Sequence, residues 1–189
     1  MSTEAPARDL SGEIERLSCD GRHRPDEWLR FLVEDVLAGF GKRLATPWSA
    51  YHQERLFRLS GRYARLVAES PWRDILGGAY MELASHGQKQ WLDQFFTPHP
   101  VATLMAEISF NDLDPERCPK DRFITVLEPA AGAGVMLLAA SRLVTGRYGA
   151  DALRRFSFTA IDLDGLCAGM TACQLLANAM FHGALGELV

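Results

Sequence analysis

The chain has 189 residues, 48% of them hydrophobic and 23% charged, and it carries a formal net charge of −4 with a pI near 5.7. This composition supports a sizeable core and argues against wholesale disorder. The acidic balance argues against a strong nonspecific nucleic-acid binder, because affinity for phosphates comes from clustered Lys and Arg, although a local basic strip or a basic partner stays open.

Targeting and metal signals are weak in this sequence. No secretory signal and no apolar run of membrane-spanning length is visible, so we expect a cytoplasmic protein that does not interact with membranes. The four cysteines are scattered without zinc-site spacing, so no metal is expected. Cys167 and Cys173 lie in an apolar helical pattern and are expected to be buried, reduced thiols.

The N-terminal half reads as helical. Residues 1–24 are polar with weak periodicity and are expected to form a loose arm, and residues 25–92 are expected to form a helical domain. Three helices are predicted here, each with proline in its first turn: they begin at Pro25, at Pro47 with Thr46 as its cap, and at Ser70-Pro71.

The second predicted helix carries two neighbouring stripes. The apolar stripe is formed by Leu56, Leu59, Tyr63 and Leu66, and the basic stripe, one residue earlier, by Arg55, Arg58, Arg62 and Arg65. Two interpretations of the arginines stay open. They are a solvated flank beside a buried stripe, or they are a track that contacts DNA phosphates.

A further helix is predicted with Thr97 as its N-cap and Pro98 as its first residue, followed by a turn-rich loop at residues 111–121. The pattern then changes to strand, helix, strand, helix, strand. Strands are expected at residues 123–127 and 155–164 and from Gly186 onwards, with a helix capped by Asp164 between the last two. This alternation predicts an α/β fold, with a partial Rossmann-like parallel sheet over residues 93–189.

The stretch LEPAAGAG, at residues 127–134, joins the first strand to its helix. Gly132 and Gly134 allow a ligand to approach the backbone, because no Cβ intervenes. Glu128 ends the strand, and Asp162 ends the next one, 30 positions after Gly132. A carboxylate at that point can accept two hydroxyl hydrogens of a ribose, so the two features together predict a site for a nucleoside-containing cofactor.

Two nucleotide fingerprints are missing. The final glycine of G-x-G-x-x-G is Leu137 here, which weakens a dinucleotide reading, and no G-x-x-x-x-G-K-[ST] occurs anywhere in the chain. The residues alone therefore predict a nucleoside-containing cofactor and do not identify it further.

Four segments resemble S-adenosylmethionine-dependent adenine-N6 DNA methyltransferases, in particular the modification subunits of type I restriction systems. LEPAAGAGVMLLA is similar to their first motif, D-P-A-C-G-S-G-x-F-L, and AIDLD to their second. QFFTPHPVATLM is similar to the preceding motif, and RDILGGAYMELAS to the helix before that. The four segments follow the family's order, from about Asp74 to His182.

The resemblance implies S-adenosyl-L-methionine as cofactor, DNA as partner, and a set of site residues. The methionine end would be lined by Phe95, Phe96, Thr97 and Pro98, the floor formed by Glu128, Ala130, Gly132 and Gly134, the ribose held by Asp162, and Leu163 placed beside the adenine. One of the two phenylalanines is expected to be core only. His99 receives no role by resemblance and is expected to be a surface residue.

The family's catalytic segment, N-P-P-[YF], is missing, so no catalytic residue is expected in this chain and the isolated chain is expected to be inactive. Two hypotheses follow. The chain is the cofactor-binding half of an adenine-N6 DNA methyltransferase, completed by further residues or a partner; or it is a non-catalytic module that binds S-adenosylmethionine or DNA. If Val189 is a natural end, a partner subunit or self-association is expected to cover the open sheet.

Overall fold

The computed structural model describes residues 5–86, 96–119 and 121–183. This part of the chain is mostly helical and contains one small parallel sheet. The helices are α1 (Ala5–Ser18), α2 (Pro25–Gly39), α3 (Ala50–Glu69), α4 (Ile75–His86), α5 (His99–Ser109), α6 (Val135–Tyr148) and α7 (Gly165–Phe181). The strands are β1 (Ile124–Glu128) and β2 (Phe156–Ala160), and a short 3-10 helix (Ala150–Arg155) precedes β2. The expected third strand lies outside the described residues.

Residues 5–18 form a helix, whereas a loose arm was expected there. Leu10 and Ile14 of α1 are fully buried in the main apolar cluster. The stripe of Ala7, Leu10, Ser11 and Ile14 has helical spacing but is short and interrupted by charges. Packing against the other helices, more than local propensity, therefore stabilises α1.

In the N-terminal half, α3 and α4 begin later than the sequence predicts. The N-cap of α3 is Ser49 and not Thr46, and α4 begins at Ile75 and not after Ser70-Pro71. Before α4, Trp72 adopts a φ of 56°, which a non-glycine residue rarely adopts, and its N–H donates to Asn178 Oδ1 at 2.6 Å. The side chain of Asn178, on α7, thus accepts the backbone hydrogen bond of a turn that the sequence predicts to be helical.

The β1–α6–β2–α7 order agrees with the prediction. The two strands are parallel, with Ile124 opposite Phe156 and Val126 opposite Phe158. These four residues face a buried cluster with Leu138 of α6, while the other face of the sheet is exposed. Asp164 caps α7, because its Oδ1 accepts from the N–H of Leu166 at 2.8 Å.

Helix α7 lies between the helical part and the sheet. One side of it contributes Met170 and Cys173 to the core shared with α1–α4, and another packs Leu175 against the cluster beneath the sheet. Cys167 and Cys173 are buried free thiols, as expected, and burial raises the pKa of each to about 12. Because α7 is enclosed on several sides, its polar residues must find partners inside the protein.

Candidate cofactor crevice

The glycine loop, residues 128–134, crosses the carboxyl ends of both strands. Gly132 and Gly134 have φ values of 54° and 95°, in the left-handed region that favours glycine. A Cβ on Gly132 would meet Phe96 Cδ1 at 3.0 Å, and one on Gly134 would meet the Thr171 backbone at 3.2 Å. Both glycines are therefore required by close packing and by their backbone conformation.

Asp162 connects the two strand ends. Its Oδ2 accepts from the N–H of Gly132 at 2.8 Å, and its Oδ1 accepts from the N–H of Asp164 at 2.8 Å. Below it, the N–H of Ala131 donates to the carbonyl of Ile161. A carboxylate offers about four acceptor positions, so Asp162 keeps two for a ligand.

The carbonyl side of the loop is held by α7. Thr171 Oγ1 donates to the carbonyl of Gly132 at 2.9 Å, and Gln174 Nε2 donates to the carbonyl of Ala133 at 2.7 Å. Because a trans peptide points its N–H opposite to its carbonyl, the N–H of Ala133 faces away from α7. Gly132 is thus fixed on both sides, by Asp162 and by Thr171.

The side chain of Gln174 also caps the first turn of α4. Its Oε1 accepts from the N–H groups of Ile75 and Leu76 at 2.7 and 3.0 Å, and its Nε2 donates to Asp74 Oδ1 at 2.8 Å. Asp74 Oδ1 accepts from the N–H of Gly77, so the first turn of α4 is capped from two directions. The amide of Gln174 therefore links the helical part directly to the glycine loop.

A crevice of about 400 Å³ lies above the glycine loop. This volume is in the range of small-molecule sites. Of the residues predicted to bind a cofactor, the crevice brings together Phe96, Thr97, Ala130, Gly132, Asp162 and Leu163. Leu163 is fully exposed at its edge, although large apolar side chains are usually at least partly covered.

The remaining predicted residues lie elsewhere. Glu128 ends β1 and accepts from the N–H of Ala130 at 3.1 Å, outside the crevice lining. Gly134 forms the N-terminal boundary of α6, and Phe95 lies outside the described residues. Pro98 is the residue before α5, which begins one residue later than predicted. It lines a neighbouring cavity.

The arginine stripe on α3 is largely paired. Arg62 forms a two-contact ion pair with Asp9 of α1, and Arg58 pairs with Glu54 at 3.1 Å. Arg55 lies over the ring of Tyr51 at 3.8 Å and 3.9 Å from Asp20 Oδ2. Arg65 is exposed and has no ion pair within the described residues.

Sequence reasoning missed three residues that shape the crevice: Thr171, Gln174 and Asp74. Gln174 and Asn178 are amides four residues apart within an apolar helix, and both are fully buried. Polar side chains on the buried stripe of a helix indicate internal partners, so this spacing was the available signal. It could not have named the partners, which lie 41 to 106 residues earlier in the chain.

Two other kinds of site receive no support from the structure. Within residues 5–86, 96–119 and 121–183, no three His, Cys, Asp or Glu side chains are grouped to hold a metal ion. None of the helices in these ranges has the length and hydropathy needed to cross a membrane.

Comparison with curated proteins and with solved structures finds no match. The model of the N-6 DNA methylase family matches residues 72–183, which is more than half of the chain and includes α4, the glycine loop and Asp162. The match begins at the turn that Gln174 and Asn178 hold and ends after α7. The chain therefore belongs to the N-6 DNA methylase family.

Proposed function

We propose that this chain is the S-adenosylmethionine-binding part of an adenine-N6 DNA methyltransferase. One observation carries the proposal: Asp162, two residues after the end of β2, is hydrogen-bonded to Gly132 in the loop that follows β1. This bond places an acceptor for sugar hydroxyls beside a stretch of backbone with small side chains. Parallel sheets bind nucleosides at such points, and we accordingly propose that β1 and β2 begin a Rossmann-like sheet.

The residues of the crevice suit the parts of the cofactor. Asp162 has two free acceptor positions for the vicinal hydroxyls of the ribose. Leu163 offers an exposed apolar surface for the adenine ring. Thr97 and Pro98 precede the 11-residue helix α5, whose N-terminus suits a carboxylate. Ala130, Gly132 and Gly134 keep the floor thin.

Two other residues receive supporting roles in the proposal. Phe96 packs against Tyr80, with ring centroids 5.4 Å apart, and limits the space over Gly132. Glu128 orients the turn through the N–H of Ala130. When bound, S-adenosylmethionine supplies an electrophilic methyl group. The chain's own contribution is to bind the cofactor, orient it and exclude water around it.

We propose DNA as substrate, on the strength of the family. On α3, Arg62 is held by Asp9, so Arg58 and Arg65 are the arginines best placed to reach phosphates. A partner surface is indicated by the apolar side chains exposed on α5. These have helical spacing and are Val101, Leu104, Met105 and Ile108. We propose that a partner subunit, self-association or further sheet strands cover them.

A non-catalytic cofactor- or DNA-binding module is the second candidate. Residues 1–189 contain no N-P-P-[YF] segment, whose Asn and aromatic ring the family uses on the flipped adenine, so a catalytic group of this kind must come from outside them. A labelled-methyl transfer assay on adenine-containing DNA, with and without added partner fractions, separates the candidates. We expect no transfer by the isolated chain. Transfer by the isolated chain would refute our assignment of no catalytic residue.

Titration calorimetry with S-adenosylmethionine tests the binding proposal. We expect a micromolar dissociation constant for the wild type and at least about tenfold weaker binding by Asp162→Ala, because charge-assisted hydrogen bonds to the ribose are lost. Asp151→Ala is the matched control, since Asp151 is exposed on the 3-10 helix away from the crevice. Absence of binding by folded wild-type protein would refute the proposal.

A further inference from the structure

A second cavity, of about 540 Å³, adjoins the cofactor crevice, and we refer to it as the side cavity. Phe96, Thr97 and Val135 line both spaces, so the two meet at the start of α5. The titratable side chains that line the side cavity are Arg73, Asp74, Glu82 and His99. The proposed cofactor roles use none of these four.

Arg73 and His99 line the side cavity, and Arg142 contacts His99. His99 Nε2 lies 3.3 Å from a guanidinium nitrogen of Arg142. Burial, followed by the charges of Arg73 and Arg142, lowers the pKa of His99, and burial and Arg142 lower the pKa of Arg73. In the described part of the chain, neither arginine forms an ion pair with a carboxylate. The two guanidinium groups therefore repel each other, and no carboxylate of the described residues is paired with either.

The acidic residues of the side cavity do not cancel this charge. Glu82 pairs with Arg8 at 3.1 Å. Asp74 accepts hydrogen bonds from Gly77 and Gln174, and burial raises its pKa. Among the described residues, neither of these carboxyl groups forms an ion pair with Arg73 or Arg142.

The hydrogen bonds of His99 also indicate a site for a negatively charged oxygen. A guanidinium has only donors, so His99 Nε2 must accept from Arg142, and the ring proton then sits on Nδ1. Nδ1 is buried and has no partner among the described residues. The cluster thus combines a buried, unsatisfied donor with two cations that form no ion pair among the described residues, and an oxygen that carries negative charge suits all three.

We propose that Arg73 and His99, which line the side cavity, and Arg142, which contacts His99, form an oxyanion site that takes a carboxylate or phosphate group. Because the side cavity meets the crevice at Thr97, the α-carboxylate of a nucleoside cofactor held in the crevice is the source that we favour. That choice of source rests on the proposed function, whereas the site itself stands on the unpaired cations. Free phosphate is the other source with the same chemistry.

The test compares S-adenosylmethionine with its decarboxylated form, which keeps the sulfonium and the ammonium. We expect the wild type to bind the carboxylated form about 10- to 100-fold more tightly. Arg73→Gln and Arg142→Gln should remove this preference and leave the affinity for the decarboxylated form unchanged. Arg142 is exposed, so its variant is expected to fold even if Arg73→Gln does not. Arg43→Gln, at an exposed site in the α2–α3 loop, is the charge-matched control.

Each outcome decides one question. Equal binding of both forms by the wild type rejects the carboxylate source, and a phosphate titration at constant ionic strength then decides whether the site exists. Phosphate binding that Arg73→Gln abolishes would support the site with phosphate as its source, and absence of phosphate binding would overturn it. If neither cofactor form binds, the proposed function fails, and the phosphate titration alone judges the oxyanion site.

Discussion

The glycine loop and the arginine stripe of α3 are two regions in which polar groups face the surface, but they are held in different ways. The backbone of the glycine loop is fixed by buried side chains of α7 and by Asp162. Arg58 and Arg62 are held by acids on the surface of α3 and α1, and the side chains of both pairs are still exposed by about a third or more. Buried polar partners are costly to lose, whereas surface pairs contribute little, so substitutions should separate the two regions sharply.

Gln174→Leu should have the largest effect. The substitution leaves the N–H groups of Ile75 and Leu76 and the carbonyl of Ala133 without their partner inside the core. We expect a loss of about 3 to 5 kcal/mol in the free energy of unfolding, measured by urea denaturation. Gln53→Leu, on the exposed surface of α3, is the control and should change stability little. A loss below about 1 kcal/mol would show that the network does not hold the loop.

Gly134→Ala should have the second-largest effect on the free energy of unfolding. A Cβ at this left-handed position is strained and meets Thr171 at 3.0 to 3.2 Å, so we expect a loss of about 1 to 3 kcal/mol. Gly146→Ala is the matched control in the helix that Gly134 begins. Nothing lies within 4 Å of a Cβ there, and alanine favours a helix, so this variant should be neutral or more stable by up to about 1 kcal/mol. Equal effects of the two substitutions would contradict the assigned geometry.

Asp74 should give a pH-dependent effect. Burial raises its pKa in the folded state above the value of 3.8 expected when it is exposed. Its contribution is therefore fully present below pH 3.8 and is lost as the pH rises through the raised pKa, because the unfolded chain ionises first.

Asp74→Asn cannot ionise, so its stability relative to the wild type should increase as the pH rises from 3.8 towards neutrality. Unfolding by urea at several pH values measures this difference. A difference that stays constant with pH would show that Asp74 ionises as freely in the folded state as in the unfolded chain.

The arginine stripe should give the smallest effects on stability. Arg62→Gln removes the pair with Asp9 and should cost up to about 1 kcal/mol, while Arg65→Gln should cost nothing measurable. For DNA binding, Arg65→Gln should have a larger effect than Arg62→Gln, because Arg65 has no ion pair within the described residues. We expect Arg65→Gln to reduce the slope of log affinity against log salt by about 1, and Arg62→Gln to leave it unchanged. Equal slopes for wild type and Arg65→Gln would remove this arginine from the DNA-binding surface.

Local signals carried much of the fold. The alternation of strand and helix, Asp164 as N-cap and the small residues of the glycine loop are all predicted from neighbours in sequence. Capping and strand-to-helix turns depend on residues a few positions apart, so spacing alone predicts them. The motifs also predicted the family, and the family model that matches residues 72–183 confirms that prediction.

Long-range contacts decided the rest. Helix α1 forms because Leu10 and Ile14 find a core, and α4 begins where Gln174, about 100 residues later, accepts its first N–H groups. The bond between Asp162 and Gly132, and the unpaired cations beside the crevice, likewise depend on which elements pack together. Sequence determined which residues could serve a nucleoside site, and tertiary packing decided their partners, because hydrogen bonds between distant residues leave no trace in local spacing.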